Sequence, residues 1–410
     1  MFSPVLAVGP FALLLSAIAS FPLVAPAWWE HNRNKALVAT LLSLPVALWL
    51  MSSNPTALGH ALVEYLSFVC LLGALYVTAG GVHVAGDLLA TPGRNCALLA
   101  TGAVLANVMG TTGASMLLVH LVLRTNKQRT NTAHLPFFFI LIVSNCAGLL
   151  TPLGDPPLFL GYLRGVPFLW TLRLFPIWLF AMGYLLTVFY FIDRRAYLRE
   201  PQLALEADRR QAEPLKIEGW GNAALLSGVV AAVFLPTPWR EVVMVALAGL
   251  SLKLTSPEPR QKNAFQFGPI LEVAILFVGI FVTMVPALHL LSEHASSLGI
   301  SAPLHFFWIT GGLSSVLDNA PTYLTFLSVA QGLGGASEVV GTTHAHLLAI
   351  GAGSVLMGAN TYIGNGPNFM VKAIADSSGY RTASFMRHAL LAFFVLLPVY
   401  GFVSVLLTLQ

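Results

Sequence analysis

Charge is what this chain lacks. Only 9% of its 410 residues are Asp, Glu, Lys or Arg, while 56% are hydrophobic. Soluble domains carry roughly 25% charged residues. So little charge cannot build a water-facing surface, which excludes a soluble enzyme or a nucleic-acid-binding protein. The net charge of +4 is therefore read as membrane topology and not as polyanion binding. Cysteine is scarce too. Cys70, Cys96 and Cys146 each lie in or beside an apolar stretch, and no two have metal-ligand spacing. They are read as reduced packing residues. No metal cluster and no nucleophile–base pair is evident, so neither an enzyme nor a resident cofactor is expected. The start, Met1-Phe-Ser-Pro4, lacks the basic segment of a signal peptide, so the first apolar run is expected to stay as a helix.

Long apolar runs are what the chain has instead. A helix crossing a bilayer needs about 20 mainly apolar residues, and 168–192, 218–235 and 385–408 reach or approach that length. The pattern predicts an all-α polytopic membrane protein with about ten spanning helices. In the first half they fall near 5–27, 36–53, 57–79, 133–164 and 167–192. In the second half they fall near 218–235, 239–254, 269–292, 344–378 and 385–408. Between the third and fourth helix of each half, 95–124 and 303–332, lie apolar arms too short to span, interrupted by Asn107-Val-Met-Gly-Thr-Thr112 and Asp318-Asn-Ala-Pro-Thr322. Such segments suit re-entrant hairpins.

Basic residues orient this arrangement. The 193–217 linker holds Arg194, Arg195, Arg199, Arg209, Arg210 and Lys216, which places it in the cytoplasm of a bacterial inner membrane. Both termini are then expected outside. Helix counting brings one hairpin in from each face, as two inverted repeats require. Those repeats are expected at 1–192 and 218–410. With the second half moved back by 210 residues, Gly148, Thr151, Gly154, Pro157 and Phe159 fall on Gly358, Thr361, Gly364, Pro367 and Phe369, and Asp155 faces Asn365. At the hairpins an offset of 212 matches Val104, Leu105 and Asn107 with Val316, Leu317 and Asn319.

The fourth helix of each half cannot be continuous. Thr151-Pro-Leu-Gly-Asp-Pro-Pro157 and Thr361-Tyr-Ile-Gly-Asn-Gly-Pro367 lose backbone donors and clash with the preceding turn. Backbone groups freed within a membrane are tolerated only where they line a protein cavity. Half-helix ends there attract ions. Asp155 and Asp318 are the expected proton-coupling acids, since an intramembrane carboxylate marks function by default. Asn107, Thr111, Thr112, Asn145, Thr151, Asn319, Thr322, Asn360, Thr361 and Asn365 are the expected oxygen ligands of a hard cation such as sodium. The plainer alternatives are a turn outside the membrane for Asp155 and a helix cap for Asp318. Single hydroxyls can merely bond the preceding turn. His60 and Glu64 share one face of the third helix, as a proton relay or as a scaffold or dimer contact.

Gly110-Thr-Thr-Gly-Ala-Ser115, Ser144-Asn145, Thr151-Pro-Leu-Gly-Asp155, Val316-Leu-Asp-Asn319 and Gly364-Asn-Gly-Pro-Asn368 together resemble the ion transporter superfamily. Within it they are similar to NhaD-type sodium/proton antiporters, arsenite permeases and citrate transporters. The resemblance covers nearly the whole chain. It implies a scaffold that often forms a homodimer, a mobile unit carrying both hairpins, and a site at Asn107, Thr111, Thr112, Asn145, Asp155, Asp318, Asn319 and Asn365. The Ser-Asn-Thr tips of sodium-coupled dicarboxylate carriers are absent, which weighs against that substrate class. The leading expectation is a sodium/proton antiporter working by alternating access. A citrate or other carboxylate symporter is the second, and a non-transporting receptor or assembly protein the third. The partners expected are lipid and a small inorganic cation or carboxylate.

Overall fold

The computed structural model describes residues 4–334 and 337–409. Met1–Ser3 and Gln410, on which part of the expected outside placement of the termini falls, lie outside the described residues. The fold is all-α. In the first half the helices are α1 (Pro4–Val24), α2 (Asn32–Ser53), α3 (Pro55–Gly80), the bent α4 (Pro92–Thr125), α5 (His134–Ile142), α6 (Pro156–Leu163) and α7 (Phe175–Tyr197). The second half repeats the order with α8 (Gly221–Ala232), α9 (Trp239–Leu254), α10 (Gly268–Glu293), α11 (Pro303–Ser314), α12 (Asn319–Gly332), α13 (His344–Met357), α14 (Gly366–Ser377) and α15 (Phe385–Thr408). Seven stretches among the described residues, α4 included, are long and apolar enough to cross a membrane. The chain is thus an integral, multi-pass membrane protein. Helices α8 and α9 sit where spans are expected but are shorter than a full crossing, separated by Pro236 and Pro238.

α4 is a hairpin and not a straight span. Gly110 adopts φ 76°, ψ 157° inside it, a backbone region open in practice only to glycine. The two ends of the hairpin meet: Asn95 and Asn126 exchange side-chain amide hydrogen bonds of 2.9 Å each way. A Cβ on Gly102 of one arm would lie 3.0 Å from Leu118 of the other. The second hairpin, α11 and α12, is closed by an edge-on contact of Phe306 with Phe326, centroids 6.3 Å apart.

The halves interlock. Arm α12 of the second hairpin packs on α6 of the first half, and α14 of the second half packs on α4. Each hairpin thus leans on the other half's broken helix. A second bundle forms where α10 packs on α1, α2 and α3, and α9 packs on α3 and α8. The stacked rings of Phe68 and Phe277, 4.8 Å apart, lie in its core. The bundles touch through α10 with α12, and through α3 with α4 and α6.

The linker is more structured than a loop. It contains a helix, Gln202–Gln211, and the strand Lys216–Glu218, which pairs antiparallel with His83–Ala85. Beside it, a buried charged network closes the base of the first hairpin. Asp193 accepts from Asn95 at 2.9 Å and pairs with Arg129 at 2.6 Å and His134 at 2.8 Å. Arg129 also faces Glu200 at 3.5 Å. Glu200 accepts from the backbone N–H groups of Thr130 and Asn131 and from the Thr130 hydroxyl. His134 is therefore part of this network.

Candidate functional site

Both breaks are built from the same local pieces. The 3₁₀ turns Cys146–Leu150 and Gly358–Asn360 are followed by extended Thr151 (φ −136°) and Thr361 (φ −134°). Helix resumes after Asp155 (φ −145°, ψ 144°) and Asn365 (φ −154°, ψ 138°). Gly154 donates its N–H to Thr151 Oγ1, and Gly364 to Thr361 Oγ1, at 3.1 Å in each half. Prolines in the first turn of α6 and α14 need no capping acceptor, because they lack the N–H a cap would satisfy. Asp155 accordingly makes no side-chain cap, and its carboxylate is free to face inward.

The hairpin tips are pinned to the breaks in the same repeated way. Thr151 donates its hydroxyl to the Asn107 carbonyl and Thr361 to the Ser315 carbonyl, both at 2.6 Å. Asn107 also accepts from the Leu150 N–H at 3.0 Å, and Asn360 donates to Ser315 Oγ at 2.9 Å. These contacts make Asn107 the counterpart of Ser315, an offset of 208. The offset of 212 read from side-chain likeness was one helical turn out. Residues four apart share a helix face, so that slip kept the apolar pattern intact. With the corrected offset, Thr111 corresponds to Asn319.

Those two residues converge on one carboxylate. Asp155, 1% exposed, accepts from Thr111 Oγ1 at 3.0 Å and Asn365 Nδ2 at 2.9 Å through Oδ1, and from Asn319 Nδ2 at 2.5 Å through Oδ2. A hairpin residue from each half and the capping residue of the opposite break therefore surround it. Asp155 is thus buried within the protein and does not lie in an exposed turn. No ion pair reaches it among the described residues. Neutral donors and the N-terminal end of α6 alone offset its charge, as a buried charge requires.

Two amide oxygens at the site have no partner among the described residues: Asn319 Oδ1 and Asn145 Oδ1, both on buried side chains. Asn145 donates to the Ile140 carbonyl at 2.9 Å and to Asn368 Oδ1. Asn368 in turn donates to the Gly358 and Thr361 carbonyls at 3.1 and 2.8 Å. Asn365 ties this group to Asp155 by also donating to the Ser144 carbonyl at 3.2 Å, and Ser144 shares a 2.8 Å hydroxyl contact with Ser115.

The remaining expected residues divide. Asp318 is half-buried and caps α12 through the Ala320 N–H at 3.0 Å. Thr322 donates back to the Asp318 carbonyl at 2.8 Å, the local bond open to any helical threonine, and Thr112 makes no described contact with Asp155. Asn107, Thr151, Asn360 and Thr361 hold the tips, with Asn360 also accepting from Tyr400 at 2.8 Å. Ser315 was not foreseen. Asn368 and Ser144 stood in the recognised motifs without a role. Glu64, on the third helix, pairs with Arg164 at 2.9 Å.

Two repeats, each bringing a hairpin tip and a broken helix to one buried carboxylate inside a multi-pass membrane protein, define a secondary transporter. A family model supports that class: CitMHS_2, described as "Putative citrate transport", matches residues 2–408. The chain belongs to this citrate-transport family. No curated protein matches the chain.

Proposed function

We propose that the protein exchanges a small cation for protons by alternating access, with Asp155 as the coupling carboxylate. One observation carries the reading: a buried acid with no basic partner among the described residues, beside two buried amide oxygens that lack hydrogen-bond donors there. Burial favours the protonated acid, and a bound cation favours the charged one. Proton and cation thus compete for the same oxygens. Rotation of the Asn319 and Asn365 amides would turn donors into oxygen ligands of the kind a hard cation takes, and loss of the cation would restore the hydrogen bonds described above. In this reading sodium is the cargo, not a resident metal.

The family match favours a second reading, in which citrate or a related carboxylate travels with the cation. Neutral amides and the N-terminal ends of α6 and α14 would face such an anion. Purified protein in vesicles with an internal pH dye separates the two. A pH change driven by sodium or lithium and absent with potassium supports exchange. Labelled citrate uptake without cation-driven proton flux replaces it with symport. The absence of both sinks the transport role of this site.

A further inference from the structure

The end of α7 that carries the linker presents a basic surface depression which the transport site does not use. Arg194, Arg195 and Arg199, together with Phe191 and Leu198, line a cavity of about 430 Å³. All three arginines are exposed, as are Phe191 at 59% and Leu198 at 73%. The acids that flank them in sequence do not neutralise them. Asp193 is turned inward onto Arg129, His134 and Asn95, and Glu200 onto Arg129, Thr130 and Asn131. Both acids are buried. Among the described residues none of the three arginines has an ion pair, whereas Arg129, Arg164, Arg210 and Arg240 do.

We propose that this depression is a binding site for an anionic phospholipid. The arginines hold the headgroup phosphate, and the acyl chains descend along Phe191 and α7. Three features favour a lipid over a soluble anion. Arg guanidinium matches phosphate oxygens in a bidentate fork. The site lies at the polar end of a stretch apolar enough to cross the bilayer, Phe168–Tyr197, where basic side chains meet headgroups. The apolar half of its lining, Phe191 and Leu198, is of no use to a free phosphate. The helix Gln202–Gln211 that follows exposes Leu203 at 81%, while its Arg210 is paired with Glu206. This inference stands apart from the transported species.

The test is native mass spectrometry of the full chain released from nanodiscs of phosphatidylcholine with or without phosphatidylglycerol. Retained phosphatidylglycerol adducts, reduced at least several-fold in the R194Q/R195Q/R199Q variant, are expected. Each single Arg→Gln variant should show a partial loss, which keeps the test open if the triple variant does not fold. Equal adducts in wild type and variants would overturn the proposal. So would full displacement by millimolar inorganic phosphate, which would reassign the depression to a soluble anion.

Discussion

Asp155 offers the sharpest test because its partners are all neutral donors. Asp155→Asn keeps the shape of the side chain, removes the charge and turns the oxygen facing Asn319 into an NH2 donor, which the Asn319 amide can accept by turning its unpartnered Oδ1 toward it. It is expected to fold with near wild-type thermal stability and to reduce cation-driven pH change to the level of empty vesicles. Wild-type flux in this variant would remove Asp155 from the coupling role. Asn365→Ala removes the amide oxygen proposed to turn onto the bound cation, and a lost bond to a charged group costs roughly 1.5–3 kcal/mol. About 1.4 kcal/mol is a tenfold change in binding, so the half-saturating cation concentration should rise about tenfold. A titration of flux against sodium reads that shift. Asp155 was legible in the sequence because a carboxylate in an apolar run is costly and therefore marked. Asn365 was legible because the repeat set it opposite Asp155. Ser315 was not, since its role lies in its carbonyl, and any residue type supplies a carbonyl. The helix cap for Asp318 was one of the two roles the sequence left open, but nothing in it could show that Asn319, its neighbour, reaches the acid of the other half.

Among the elements, the breaks are held by backbone closeness that only glycine allows. A Cβ on Gly154 would stand 2.2 Å from the Gly148 carbonyl oxygen, and one on Gly364 would stand 2.5 Å from that of Gly358. Gly154→Ala and Gly364→Ala should each destabilise by the roughly 1–3 kcal/mol typical of overpacked sites, or more. A lowered unfolding temperature in detergent would show it, and unchanged unfolding in both would mean the breaks are looser than described. The proline and glycine spacing made these breaks readable. The charged base of the first hairpin was not readable, because its members come from four separate segments. Breaking a buried ion pair at one partner costs roughly 3–5 kcal/mol, so Asp193→Ala should unfold well below wild type. Glu200 adds a pH dependence. Burial alone would raise its carboxyl, but the N–H groups of Thr130 and Asn131, the Thr130 hydroxyl and Arg129 together hold it below the usual range. A depressed acid stabilises above its unfolded pKa of about 4.3 and loses that contribution as pH falls through the folded value. Glu200→Gln should therefore be less stable than wild type at pH 7, with the gap closing below about pH 4. Unfolding temperatures across that range would test the sign.

Over the whole molecule, each hairpin packs on the other half's broken helix, and these interlocking contacts place one site between the halves. One hairpin and one broken helix in each half followed from hydropathy, chain punctuation and the internal offset. A division into a scaffold and a mobile unit was implied by the family resemblance alone, and packing is what assigns α3 to one bundle and α6 to the other. Alternating access requires those bundles to shift against each other, and their shared contacts are where the shift must show. The pair Glu64–Arg164, 2.9 Å apart and partly exposed, joins α3 of one bundle to the end of α6 in the other. With Cys70 and Cys96 replaced by serine, the double substitution E64C/R164C places two thiols across that boundary. A short bifunctional thiol reagent should then arrest flux in vesicles, and a cleavable version should restore it on reduction. Each single cysteine variant treated alike should keep transporting. If the cross-linked protein transports at the uncross-linked rate, α3 and α6 travel as one body. The moving boundary would then have to lie at the α10–α12 or α3–α4 contact.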